Sequence, residues 1–85
     1  MERFQADLLW GGKVVAENVT GAWERHGPGR RASWSGYLRP APDAPVSPGC
    51  SYVLVLDDGR SGTIRVGPDA GRPGVLPFEG VGPWL

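Results

Sequence analysis

The chain has one cysteine, one histidine and one methionine among its 85 residues. A lone cysteine, Cys50, excludes an intramolecular disulfide, and one cysteine with one histidine cannot close a structural zinc site. No apolar run extends beyond Tyr52 to Leu56, far short of the roughly 20 residues that span a bilayer. The opening residues, Met1 to Asp7, lack the basic and apolar regions of a signal peptide, so the cytoplasm is the expected compartment. An excess of one charge is missing as well: 9 basic and 9 acidic residues cancel to a net charge of 0. That removes any whole-molecule attraction to nucleic acid or anionic membrane, and only a local patch could supply one. Finally, no long window free of Gly and Pro keeps a 3.6-residue apolar period, which leaves an all-β chain as the economical reading.

What is present is enough to fold. At 40% hydrophobic and 21% charged residues the composition is too apolar and too weakly charged for a disordered segment. Residues 1–85 are expected to form a single small domain, and domains of this size bury only about 60 to 65% of the surface that their unfolded chains expose. Stability is then modest unless a subunit or partner adds burial. The 14 glycines and 9 prolines fall between the apolar runs without a repeat period, so they read as turns. Arginine supplies 8 of the 9 basic residues, and alanine, glycine and proline are common, a composition that points to a GC-rich coding genome and the expectation of a bacterial protein.

Phe4, Ala6, Leu8 and Trp10 alternate with more polar neighbours, the period of a half-buried strand, and Gly11-Gly12 follows at once. Two glycines suit a type I′ hairpin because both central positions need positive φ. That register pairs Trp10 with Lys13, Leu8 with Val15, Ala6 with Glu17 and Phe4 with Val19, leaving Glu17 to sit at a rim or be turned out by a bulge. A second hairpin folds about the turn at residues 25–30. Folded symmetrically, it sets Trp23 against Trp34, Gly21 against Gly36 and Val19 against Leu38, all on the face chosen by the first hairpin.

Four prolines between Pro40 and Pro48 make residues 40–49 a loop crossing one end of the sheet. Ser51 to Asp57 is a strand whose near-continuous apolar run suggests cover on both faces. Asp58 to Ser61 turns the chain, and Gly62 to Val66 returns. A three-residue loop would place Ile64 and Val66 beside Leu54 and Tyr52, and a two- or four-residue loop would set them against Val53; the sequence leaves both registers open. Residues 67–74 are another loop, and Val75 to Val81 is a last strand that Pro77 marks as an edge or as bulged. Six short strands without a covering helix predict a small, partly open five- or six-stranded barrel or roll, an antiparallel meander of hairpins. In strand number and chain length alone it falls in the SH3-like or OB-like size class.

The chemistry-bearing residues are few. His26 lies in a polar turn and is expected to be solvated, whereas Cys50 precedes a buried strand and is expected to pack as a small hydrophobe, so no cysteine–histidine pair is anticipated. None of Ser33, Ser35, Ser47, Ser51 and Ser61 sits in a nucleophile-elbow motif. Asp57-Asp58-Gly59 is explained as a turn without an ion, and the glycine-rich segment 67–74 matches neither phosphate-loop pattern. Asn18-Val19-Thr20 matches a glycosylation acceptor by pattern only. No enzyme activity, metal or cofactor is expected.

Two surfaces remain. Arg25, Arg30 and Arg31 cluster at the second hairpin tip, flanked by Trp23 and Trp34; arginine with exposed aromatics is what a polyanion or single-stranded nucleic acid requires. The inward turn of both tryptophans and the nearby Glu24 weigh against that use. Trp84-Leu85 either plugs one barrel end or anchors in a neighbouring subunit or another protein. The expectation is therefore a non-enzymatic module acting by protein contact through an edge strand or loop surface, with a homodimer as the first possibility and nucleic-acid binding at residues 25–31 as the alternative.

Overall fold

A computed structural model describes residues 2–27, 33–68 and 71–82. Among these residues lie the strands β1 (Glu2–Trp10), β2 (Lys13–His26), β3 (Ser33–Arg39), β4 (Ser51–Leu56), β5 (Ser61–Val66) and β6 (Leu76–Val81). They close into a barrel in the order β1-β2-β3-β6-β5-β4, with β4 returning to pair with β1 and every neighbour antiparallel. The barrel is closed where the sequence suggested a partly open one. Among the described residues no helix is long and apolar enough to cross a membrane.

Four of the five connections join neighbours. The exception runs from β3 to β4, which lie on different sides of the barrel, so the proline-rich segment must cross. It carries β4 back beside β1 and gives the spatial order β4-β1-β2-β3 of a Greek key. Ala44 and Val46 of this crossing pack against the core. Ser47 N–H donates to the Tyr52 hydroxyl at 2.9 Å and Gly49 N–H to Val66 O at 2.7 Å, tying the crossing to β4 and β5.

The Gly11-Gly12 turn forms as its sequence requires, with φ of 59° and 80° and Trp10 opposite Lys13. Farther along, two single-residue shifts move the pairing to Leu8 with Ala16, Ala6 with Val19 and Phe4 with Gly21, in place of the anticipated partners. At the second shift Asn18 takes a φ of 54°; Gln5 Nε2 donates to its side chain at 3.0 Å, and its own N–H donates to Asp7 Oδ1 at 3.2 Å. These bulges turn Glu17 out to solvent while returning Val19 to the interior, because together they shift the register by an even number.

The second hairpin is also displaced by two residues. Trp23 faces Gly36, Gly21 faces Leu38 and Trp34 faces Arg25, so the two tryptophans are diagonal neighbours and not an opposed pair. The physical reason is space. A narrow barrel interior accepts a large side chain where its neighbour is small. A Cβ on Gly36 would strike the Ala22 carbonyl, one on Gly21 would meet the Phe4 ring, and one on Gly80 would enter the indole of Trp34. Trp34 is buried there, its Nε1–H donating to Gly82 O at 2.6 Å and its ring edge-to-face with Phe78 at 6.0 Å. Leu8, Leu38, Leu54, Ile64, Val19 and Val66 complete the fully buried interior.

The second half corrects four expectations. β4 is covered on one face only: Tyr52, Leu54 and Leu56 point in, while Val53 stays exposed because among the described residues no helix or second sheet lies outside it. β6 is no edge, since it lies between β3 and β5. Pro77 fits there because its carbonyl accepts from Gly67 N–H at 2.8 Å just beyond the end of β5, where its missing donor leaves no ladder bond unmade. Cys50 is exposed, since it ends the crossing loop before the first residue of β4 and its side chain does not enter the core. The β4–β5 turn has three residues, with Leu56 N–H donating to Arg60 O at 2.8 Å and Gly59 at φ 93°, but it starts at Asp57 and its register differs by two from the one anticipated for that length: Ile64 is opposite Tyr52 and Gly62 opposite Leu54, where Ile64 was expected beside Leu54 and Val66 beside Tyr52.

Candidate functional site

Because the interior is filled by apolar side chains, with no polar or charged residue buried among those described, ligand and partner chemistry belongs to the outer wall. Arg25 is exposed at the end of β2, in the row of the inward-facing Trp34. Arg30, Arg31 and Trp84, the other residues singled out from the sequence, lie outside the described residues. The tryptophans that flank the hairpin tip do not offer free faces: Trp34 is buried, and Trp23 is half-buried with the Arg60 guanidinium 5.7 Å from its ring centre. Arg60 also reaches Glu2 at 3.7 Å and Asp58 at 2.9 Å, so it clasps the β4–β5 turn to the start of β1 and the middle of β2. Its backbone N–H, donated to Asp58 at 2.9 Å, holds that carboxyl below its ordinary value, with the guanidinium adding to the effect.

The outer wall can be read in rows, because residues opposite one another on successive strands lie side by side. One row runs Val14, Leu9, Val53, Thr63 and Val81 across β2, β1, β4, β5 and β6. Val14, Val53 and Val81 are 50%, 39% and 46% exposed, and Trp10, at 62%, stands at the hairpin tip beside Leu9. With strands about 4.8 Å apart this is an apolar band about 19 Å long. The signal for it was present in the unbroken run of β4, which fits an exposed apolar face as well as it fits cover on both sides.

The adjoining row, Glu24, Ser35, Glu79, Arg65 and Ser51, is polar throughout. It borders a groove of about 750 Å³ floored by Phe78 and Pro77 and walled by Pro48 and Pro68. Ser35 lines this groove and shares a 2.8 Å hydrogen bond with His26 Nε2. That contact satisfies the first requirement of a nucleophile and its base. No carboxylate bonds the other ring nitrogen among the described residues, and the pair stands on strands whose backbone donors are used by the barrel ladder.

A second cleft, of about 480 Å³, opens over β1, β2 and β3. Its floor is Gly21 and Ala22, and its walls carry Arg3, Arg39, Arg72 and Tyr37. These arginines come from distant parts of the chain, and no local sequence pattern marks them.

The fold thus defines a small closed antiparallel barrel of Greek-key order whose inside is solid and whose outside is chemically uneven. No protein-family model matches the chain, and neither a curated protein nor a solved structure matches it significantly.

Proposed function

We propose that this barrel is a non-enzymatic binding module that acts by protein contact, with a second copy of the chain as the first partner. One observation carries the reading: the row Val14, Leu9, Val53, Thr63 and Val81 on the outer wall, apolar but for the Thr63 hydroxyl, with Trp10 beside it. Barrel closure removes the exposed edge strand through which contact was first expected, and the face of the wall replaces it. A two-fold contact would bring the same row together from both copies, and a net charge of 0 sets no overall repulsion between them. Trp10 at the end of the row is the residue type that most often anchors such contacts. A bacterial cytoplasm is the setting proposed, in keeping with the composition and with an exposed cysteine that has no partner within the chain.

Sedimentation velocity on the intact chain, from micromolar to submillimolar concentration, tests the reading beside a Val53→Lys variant. The expected result is a dimer that the lysine abolishes while the circular dichroism spectrum stays unchanged. A parent that remains monomeric throughout, or a Val53→Lys protein that dimerises equally well, refutes contact through this row.

A further inference from the structure

The cleft over β1, β2 and β3 is a site of a different kind. Arg3 lies opposite Ala22 and Ala22 opposite Tyr37, so an arginine and a tyrosine stand two strands apart, about 10 Å, across a floor that Ala22 keeps low. In the next outward row Thr20 faces Arg39. Arg72 closes the cleft from the loop between β5 and β6, with Val75 beside it. Three guanidinium groups therefore border a space of about 480 Å³ that no aspartate or glutamate lines among the described residues. Glu24, the next outward residue along β2 after Ala22, is not part of it.

None of the three arginines is compensated. Both ion pairs among the described residues belong to Arg60, and Arg3, Arg39 and Arg72 enter none. In a chain of net charge 0 this is a local concentration of positive charge that the overall balance conceals. Guanidinium groups bind phosphate oxygens with paired, charge-assisted hydrogen bonds. Tyr37 adds the second element, since it points outward and is 43% exposed, and among the described residues no aromatic ring or cation packs on its face. Arginines tracking a phosphate beside an exposed ring that stacks a base is the arrangement by which small barrels hold single strands. The volume suits one nucleotide unit and is within the usual range for ligand sites.

We propose that this cleft binds a nucleotide unit, its phosphate held by Arg3, Arg39 and Arg72 and its base laid against Tyr37. The site is separate from the apolar row and does not depend on the protein-contact reading. It also differs from the arginine-rich hairpin tip, which supplies none of its residues.

The test is fluorescence anisotropy of the intact chain with a labelled single-stranded 12-mer of thymidine at 50 and 200 mM salt. One phosphate neutralised on a single strand predicts affinity falling roughly 3-fold between the two salts, and Arg39→Ala or Arg72→Ala, which each remove a charge-assisted contact to it, should weaken binding by about tenfold or more at either salt. Tyr37→Ala should weaken binding by about tenfold or more with the salt dependence unchanged. Arg65→Ala, an outward arginine beyond the cleft, should bind like the parent. Competition by thymidine monophosphate tells a free nucleotide from a strand as the source of the same chemistry: displacement at submillimolar concentration assigns the site to the free nucleotide, and its absence to the strand. If neither the oligonucleotide nor the mononucleotide binds, or if Arg39→Ala and Arg72→Ala bind as the parent does, or if Arg65→Ala weakens binding as much as they do, the proposal is wrong.

Discussion

Inside the barrel the tryptophans are matched to glycines, Trp23 to Gly36 and the indole of Trp34 to Gly80, Leu38 has Gly21, and the remaining apolar side chains face one another, Leu8 with Leu54 and Tyr52 with Ile64. Outside, the same strands obey no such complementarity, and apolar, polar and basic rows lie next to one another around the wall. The interior is dictated by the requirement to fill a narrow closed space at high density. The outer wall is under no such requirement, since solvent would accept polar residues at every outward position of β4 and β6. Val53 and Val81 therefore need a reason beyond folding, and so do the three arginines that converge over Ala22. The comparison makes a division of labour testable: interior substitutions should change stability, and outer-wall substitutions should change association or binding.

The largest effect is expected at Trp34. Trp34→Ala removes the bond to Gly82 O and the contact with Phe78, and it should cost about 3 to 5 kcal/mol, most of the stability of so small a protein. A urea melt that leaves the midpoint unchanged would mean that the indole is not in the interior. Gly36→Ala comes next. It adds only a methyl group, but that methyl meets the Ala22 carbonyl where backbone must move, so a loss of about 1 to 3 kcal/mol is expected in the same assay. A neutral Gly36→Ala would show that β2 and β3 are farther apart than described.

These interior contacts also mark how far the sequence could be read. Alternation located five strands and an unbroken apolar run the sixth, β4; Gly11-Gly12 announced its turn, and Asp57-Asp58-Gly59 announced another. Both early hairpins were nevertheless paired wrongly by two residues over much of their length. The reason is that a period of two fixes which face a residue occupies and is blind to even displacements. Glu17 signalled the first displacement by its misfit, and the bulge at Asn18 resolves it. The second had no such signal, because pairing tryptophan with tryptophan and glycine with glycine satisfies the pattern as well as crossing them does. Closure depends on β1 meeting β4 and β3 meeting β6, contacts that no local pattern encodes, and the cleft gathers Arg3 and Arg39 through the β1–β2–β3 registers and Arg72 through the loop that enters β6. The hairpin arginines were conspicuous because they are adjacent in sequence.

On the outer wall the effects on stability should shrink. Val53→Lys exchanges a β-branched residue for a flexible one at an exposed strand position, and a change below about 1 kcal/mol is expected, against its full effect on association. A melt displaced as far as that of Gly36→Ala would place Val53 in the packing and undo the division. Asp58 should give the smallest effect. Its carboxyl is held below its ordinary value of 3.8 by the Arg60 N–H, so it stabilises the fold above that value, and the contribution fades as pH falls through the lower folded value. Exposure to solvent keeps it small. An NMR titration of the Asp58 carboxyl should find it shifted down in the parent and returned to the ordinary range in Arg60→Pro, which removes the backbone donor.

Dilution of ¹⁵N-labelled protein from submillimolar to micromolar concentration, followed by amide chemical shifts, tests most directly whether the outer wall carries the contact. Concentration-dependent shifts should gather on Leu9, Val14, Val53, Thr63 and Val81, with the amides of Leu38, Ile64 and Phe78 unmoved. Spectra that do not change with concentration, or shifts centred away from that row, would contradict the account.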